Sequence, residues 1–208
     1  MGLELWLVYL VAAVGLSLTP GPNGLLALTH GARFGLRPAV WTVLGGALGF
    51  LVLIAGSLAG LGALLAASGT AFTVAKWVGG AYLIYLGMRL WRLPAPMVAA
   101  PASGGPRQGA GQPLRLFGDG LFVAMSNPKA LLFFAAFLPQ FMVPGVPFAT
   151  QLLLLGGTFV VVEVVYELLL AGLAGRIAPW LGRHGRSFNR VAGGTFVGIG
   201  VALATTSR

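Results

Sequence analysis

Three charged side chains lie inside long apolar stretches of the sequence, where few other charges occur. Lys129 lies in one stretch, and Glu163 and Glu167 lie in the next. The two glutamates are spaced i and i+4 and therefore share one face of a helix. Charged groups at the depth of a bilayer are costly and usually face a cavity that has a function. This pattern predicts a site that binds a small charged solute or carries a proton.

Each of these residues also has a purely structural interpretation. The Lys129 ammonium could extend to the nearer membrane interface, or it could form a permanent ion pair with the glutamates that only fixes helix packing. In the functional interpretation, Lys129 pairs with a substrate carboxylate or with a carboxylate of the next span. Glu163 and Glu167 would then carry a proton or accept a substrate ammonium.

Two proline motifs interrupt apolar stretches, at residues 19–23 and 127–129. A proline in a helix interior costs about 3 kcal/mol or more, so we expect each motif to end one half-helix and start another. We predict Thr19 as the N-cap before Pro20, and Asn127 as the N-cap before Pro128. Both restarted half-helices would present unpaired N–H groups and a partial positive charge to a carboxylate. The candidate substrate-binding residues are Thr19, Pro20, Gly21, Pro22, Asn23, Asn127, Pro128, Lys129, Glu163 and Glu167, of which Glu163 and Glu167 are also the candidates for proton coupling.

The composition predicts that these elements lie in a membrane. The chain has 208 residues, of which 57% are hydrophobic and 8% charged, and its mean hydropathy is +0.90. A soluble domain carries roughly 25% charged residues. Long unbroken apolar runs favour helices over the alternating strands of a barrel. We therefore predict an all-α integral membrane protein with six transmembrane helices, at about residues 5–30, 38–66, 72–91, 114–141, 148–175 and 188–206.

Matching motifs in the two halves indicate an internal repeat. The proline motifs of the first and fourth spans form one pair, and residues 76–82 and 190–196 form another. Two units of three spans each would have opposite orientations, as in many secondary transporters. We predict a first three-helix repeat at 1–92, a flexible cytoplasmic linker rich in Pro and Gly at 93–113, and a second repeat at 114–208.

Basic residues predict the orientation. They occur in the first, third and fifth connections, and the second and fourth connections have none, so we expect the odd-numbered connections on the cytoplasmic side and both chain ends outside. Because the basic residues lie at the ends of apolar runs, we do not expect a nucleic-acid partner. The basic residues of the three connections are Arg33, Arg37, Arg89, Arg92, Arg107, Arg115, Arg176, Arg183, Arg186 and Arg190.

Few residue types remain for other chemistry. The chain has no Cys, one Asp (Asp119) and two His (His30 and His184). We expect both histidines to be solvated near the cytoplasmic connections, and we expect no metal site and no cofactor. An intramembrane enzyme is disfavoured because two acids on one helix face make a poor catalytic pair. The spacings Gly45–Gly49, Gly56–Gly60 and Gly194–Gly198 permit close helix contact, within the chain or in a homodimer.

A series of motifs resembles the LysE/RhtB family of amino-acid exporters. The motifs are found at residues 20–23, 33–37, 45–49, 79–89 and 127–130. The resemblance implies efflux of amino acids or close derivatives across the bacterial inner membrane, by six-span proteins surrounded by lipid and driven by proton antiport. Many members carry an acidic residue where this chain has Asn23, so a mechanism that uses a carboxylate there is not implied. A passive channel and an exporter of another small solute are the alternatives.

Overall fold

The computed structural model describes residues 2–19, 21–67, 112–143 and 145–205, and scattered residues between 74 and 92. Within this part of the chain every regular element is helical, which confirms the predicted all-α class. The helices are α1 (Leu3–Leu18), α2 (Pro22–Phe34), α3 (Leu36–Ala67), α4 (Pro113–Met125), α5 (Pro128–Ala136), α6 (Phe148–Gly172) and α7 (Ala174–Thr205). A 3₁₀ turn at Leu138–Phe141 follows α5.

Two of these helices are long and apolar enough to cross a bilayer. They are Leu36–Gly60 of α3 and the whole of α6. Helices α1 and α2 pass the same test only as a pair, bent by 55° at the break between them, which fits one broken span or a re-entrant loop. The predicted third span, with Lys76, and the linker lie largely outside the described residues. The six-span arrangement and the inverted repeat therefore stay predictions.

The last helix begins earlier than the sequence predicts. The stretch expected as the fifth connection is helical, and α7 starts directly after Leu173. The predicted start of the last helix near residue 188 was wrong because it rested on the charged residues before it, and arginine is a good helix former. The side chains of Arg176, Arg183, Arg186 and Arg190 lie exposed along this helix.

Helix α6 is fixed to α1 and to the aromatic core. Trp6 Nε1 donates to Thr158 Oγ1 at 3.0 Å. A π turn at Leu152–Gly156 lies within α6, and the Tyr9 hydroxyl donates to the Leu155 carbonyl at 2.9 Å. The rings of Phe50, Phe134 and Phe159 make edge contacts with centroid separations of 4.9 to 6.4 Å, and they join α3, α5 and α6.

Helices α3 and α4 touch backbone to backbone. A Cβ added at Gly45 would lie 1.9 Å from the Phe117 carbonyl oxygen, and one at Gly120 would lie 2.0 Å from that of Thr42. Contact within the chain therefore explains the Gly45–Gly49 spacing. No described atom lies within 4 Å of a Cβ built at Gly56 or Gly60. The homodimer stays a prediction.

Candidate functional site

The first helix break lies between α1 and α2. Gly21 is the N-cap of α2 and Pro22 its first helical residue. The predicted cap at Thr19 is wrong, since Thr19 ends α1 and its hydroxyl donates to the Gly15 carbonyl at 2.8 Å. The N-cap of α2 is Gly21, two residues after Thr19, so the Thr19 side chain belongs to the end of α1. Pro20 lies outside the described residues.

The second break lies between α4 and α5 and follows the predicted chemistry. Asn127 is the N-cap of α5, with Pro128 as the first helical residue. Its Oδ1 accepts a hydrogen bond from the Lys129 backbone N–H at 3.0 Å. This confirms the predicted cap. Both breaks thus restart with an N-cap followed by proline, but Pro22 rather than Pro20 corresponds to Pro128.

The two restarted helices meet. Asn127 Nδ2 donates to Asn23 Oδ1 at 3.0 Å, and both side chains are at most 3% exposed. Asn23 is the second helical residue of α2, so the contact joins the first turns of both half-helices. Their positive N-terminal ends therefore share one buried region, which is a favourable setting for an anion.

The Lys129 side chain extends from α5 to the C-terminal end of α1. Its Nζ donates to the carbonyls of Leu16 and Thr19, both at 3.0 Å. The side chain is 8% exposed, so the interpretation in which it extends to the interface is wrong. The described contacts of its ammonium do not include Glu163 or Glu167, although it interacts electrostatically with both.

The two glutamates lie on the face of α6 that packs against the broken helices. Glu163 and Glu167 are 3% and 2% exposed. Ser17 Oγ donates to Glu163 Oε2. Glu167 Oε1 is buried without a hydrogen-bond partner among the described residues. Such an oxygen is costly to leave unpaired, so it favours a ligand that brings a proton or an N–H group.

Glu167 also lies close to the paired asparagines. A Cβ added at Gly46 would lie 3.4 Å from Glu167 Oε2 and 3.2 Å from Asn23 Nδ2. Glycine at this position therefore lets the carboxylate, the Asn23 amide and α3 come together. The arrangement places an acid beside two helix N-termini, and it offers complementary charges to both ends of a zwitterion.

Sequence reasoning missed several contacts of this region. Ser17 is a small polar residue in an apolar run, which is a weak signal, and the Leu16 and Thr19 carbonyls have no side-chain signature. The expectation that His30 is solvated was wrong. His30 is 8% exposed, and its Nδ1 lies 2.7 Å from Thr42 Oγ1, so it joins α2 to α3. His184 is exposed, as predicted.

Comparison with known proteins identifies the family. The sequence model described as "LysE type translocator" matches residues 14–207. The chain belongs to this family. The LysE family and the names of its relatives indicate a membrane efflux transporter and not an enzyme, which confirms the predicted class.

Three relatives of this LysE-type translocator match over nearly their whole lengths. The chain is 36% identical to a homoserine/homoserine lactone efflux protein of Salmonella typhimurium, over 99% of this chain and 98% of the relative. It is 35% identical to an uncharacterized membrane protein of Vibrio cholerae, over 99% and 98%. It is 28% identical to a leucine efflux protein of Enterobacter sp., over 98% and 96%. No solved structure matches the chain.

Proposed function

We propose that this translocator exports a neutral amino acid, or a close derivative of one, across the bacterial inner membrane in exchange for protons. The family supports amino-acid efflux. Two relatives are named for efflux of homoserine, its lactone and leucine. The side chains of homoserine and leucine are uncharged, and this favours a substrate with one carboxylate and one ammonium.

One observation carries the assignment of the site. The N-termini of α2 and α5 meet through Asn23 and Asn127, next to a buried Glu167 oxygen that has no hydrogen-bond partner among the described residues. The substrate carboxylate would bind at the two helix starts, formed by Gly21–Asn23 and Asn127–Lys129. The substrate ammonium would bind Glu167. Each end of the zwitterion then meets a group of opposite charge.

Proton coupling would arise from competition for the glutamates. A carboxylate that holds a proton has lost the charge that binds an ammonium, so proton and substrate exclude one another. Glu163 lies one helical turn from Glu167 on the same face and adds a second acid. Protonation from outside would release the substrate there. Loss of the proton to the cytoplasm would restore the binding site for the next substrate.

The test is transport into everted membrane vesicles from cells that express the protein. We expect saturable uptake of leucine or homoserine when the vesicle interior is acidified, and loss of uptake when a protonophore removes the gradient. Glu167→Gln should abolish the response to the pH gradient because the amide cannot exchange a proton.

The matched control is Glu4→Gln, which changes an exposed acid at the start of α1 and should leave transport unchanged. Linear flux that ignores the protonophore would identify a passive channel and refute antiport. Full coupling in Glu167→Gln would refute the site assignment. Saturable transport of a different solute would leave the site in place and correct the substrate.

A further inference from the structure

The C-terminal end of α1 exposes carbonyl groups that the break leaves without helical partners. The last carbonyls of a helix lack intrahelical donors and carry a partial negative charge. Here the carbonyls of Leu16 and Thr19 converge on one atom, Lys129 Nζ, at 3.0 Å each. Leu16 O accepts in addition from the Thr19 N–H at 3.1 Å.

We propose that these carbonyls form a binding site for a primary ammonium ion, and that Lys129 is its tethered occupant. Lys129 is then a positioning residue for the bend between α1 and α2. Broken helices of transporters coordinate free cations with such carbonyls, and here the chain supplies the cation itself. The inference concerns this carbonyl site and adds to the proposed transport function.

The space around Gly21 supports the proposal. A Cβ at Gly21 would lie 2.9 Å from Lys129 Nζ and 3.0 Å from Cε. The backbone of Gly21 is extended, with φ −143° and ψ 169°, and this conformation suits any residue. The absence of a side chain at Gly21 therefore leaves space for the Lys129 side chain, which passes the start of α2 and reaches the two carbonyls.

Charge and burial support it as well. A buried ammonium needs hydrogen-bond acceptors and compensating charge. The two carbonyls accept two of its three N–H groups, and Glu163 and Glu167 interact with it electrostatically. Ser17, which donates to Glu163, lies next to Leu16 in the chain. The end of α1 thus connects the lysine with the acidic face of α6.

Truncation of the lysine tests the site directly. Lys129→Ala removes three methylene groups and the ammonium, so propylammonium replaces the missing atoms. We expect propylammonium to raise the melting temperature of purified Lys129→Ala by about 2–4 °C. Tetramethylammonium has the same charge but no N–H group and should have no effect. Wild-type protein should respond less than Lys129→Ala because its carbonyl site is filled.

Lys129→Met is the matched control. Its side chain fills most of the same space without the charge, so it should gain no more from propylammonium than wild type does. We also expect propylammonium to restore part of the export activity that Lys129→Ala loses. Equal responses to both ions, or equal responses of wild type and Lys129→Ala, would overturn the proposal. Only the activity readout depends on the proposed transport function, so the melting experiment separates the two failures.

Gly21→Ala reaches the same site by another route. Its Cβ should displace the lysine and lower the melting temperature, and in the Lys129→Ala background the same change should have almost no effect. An equal loss in both backgrounds would overturn the proposal. Should Lys129→Ala fail to fold, Gly21→Ala combined with Lys129→Met provides the comparison, since the flexible thioether tolerates the added methyl better than an anchored ammonium does.

Discussion

The asparagine contact between the two breaks supports a quantitative prediction. Asn127 accepts the Lys129 N–H as an N-cap and donates to Asn23, so Asn127→Ala removes both bonds. Loss of an N-cap typically costs about 1 kcal/mol. Hydrogen bonds between transmembrane helices average about 0.6 kcal/mol and reach about 1.7 kcal/mol. We therefore expect Asn127→Ala to lower the free energy of unfolding by about 2 kcal/mol.

Asn127→Ser separates the two contributions. Serine is also a good N-cap but has no N–H group for Asn23, and its size is close to that of alanine. Asn127→Ser should therefore be more stable than Asn127→Ala by about the value of the cap, 1 kcal/mol. The measurement is unfolding of the purified protein by denaturing detergent in bicelles, followed by circular dichroism.

A double-mutant cycle with Asn23→Ala isolates the bond between the breaks. We expect a coupling energy of about 0.6 to 1.7 kcal/mol between positions 23 and 127. A coupling energy near zero would show that the meeting of the half-helices contributes nothing to stability. Equal costs for the Ser and Ala variants at position 127 would refute the cap.

Three further predictions concern packing around the site. Gly45→Ala should strongly lower the melting temperature because its Cβ would lie 1.9 Å from the Phe117 carbonyl oxygen of α4. Gly56→Ala is the control, since no described atom lies near its Cβ, and it should be neutral or slightly stabilising. Equal effects of the two changes would refute the contact between α3 and α4. Tyr9→Phe removes the hydroxyl that bonds the π turn and should cost about 0.5–1.5 kcal/mol in the same unfolding assay; an unchanged stability would contradict this. Thr42→Val removes the partner of buried His30 and should cost about 1–3 kcal/mol, and Thr42→Ser should recover most of that loss.

The features predicted correctly from the sequence are those that depend on neighbouring residues alone. The cap at Asn127 was predicted correctly because an asparagine before a proline satisfies the first turn by itself. In the first span both Pro20 and Pro22 could begin a helix. Helix α2 starts at Pro22, and Thr19 instead bonds to α1 through its hydroxyl and accepts from Lys129 through its carbonyl. The second of these contacts comes from a residue far along the chain.

Contacts between distant segments were the hardest to predict. The burial of Glu163 and Glu167 follows from their spacing on an apolar helix, and the structure agrees. The carbonyl partners of Lys129 could not be predicted, because every residue has a carbonyl and only the end of a helix makes one available. The pairing of His30 with Thr42 likewise depends on how α2 packs on α3. The orientation in the membrane rests on the arginines and stays a prediction.

The contacts of α6 make its length beyond the π turn part of the binding site. Before the turn, Gln151 Nε2 donates to the Val146 carbonyl at 2.9 Å, which holds the helix to the preceding loop. After the turn, Thr158 and Glu163 are held by α1. The π turn has i→i+5 bonds and holds one residue more than a regular α turn, so deletion of one residue within Leu152–Gly156 would give a regular turn and leave both anchored ends facing their partners. A single-codon deletion in the regular helix between Thr158 and Glu163 would instead rotate both glutamates by about 100° relative to Thr158, even though every residue proposed to contact the substrate would still be present.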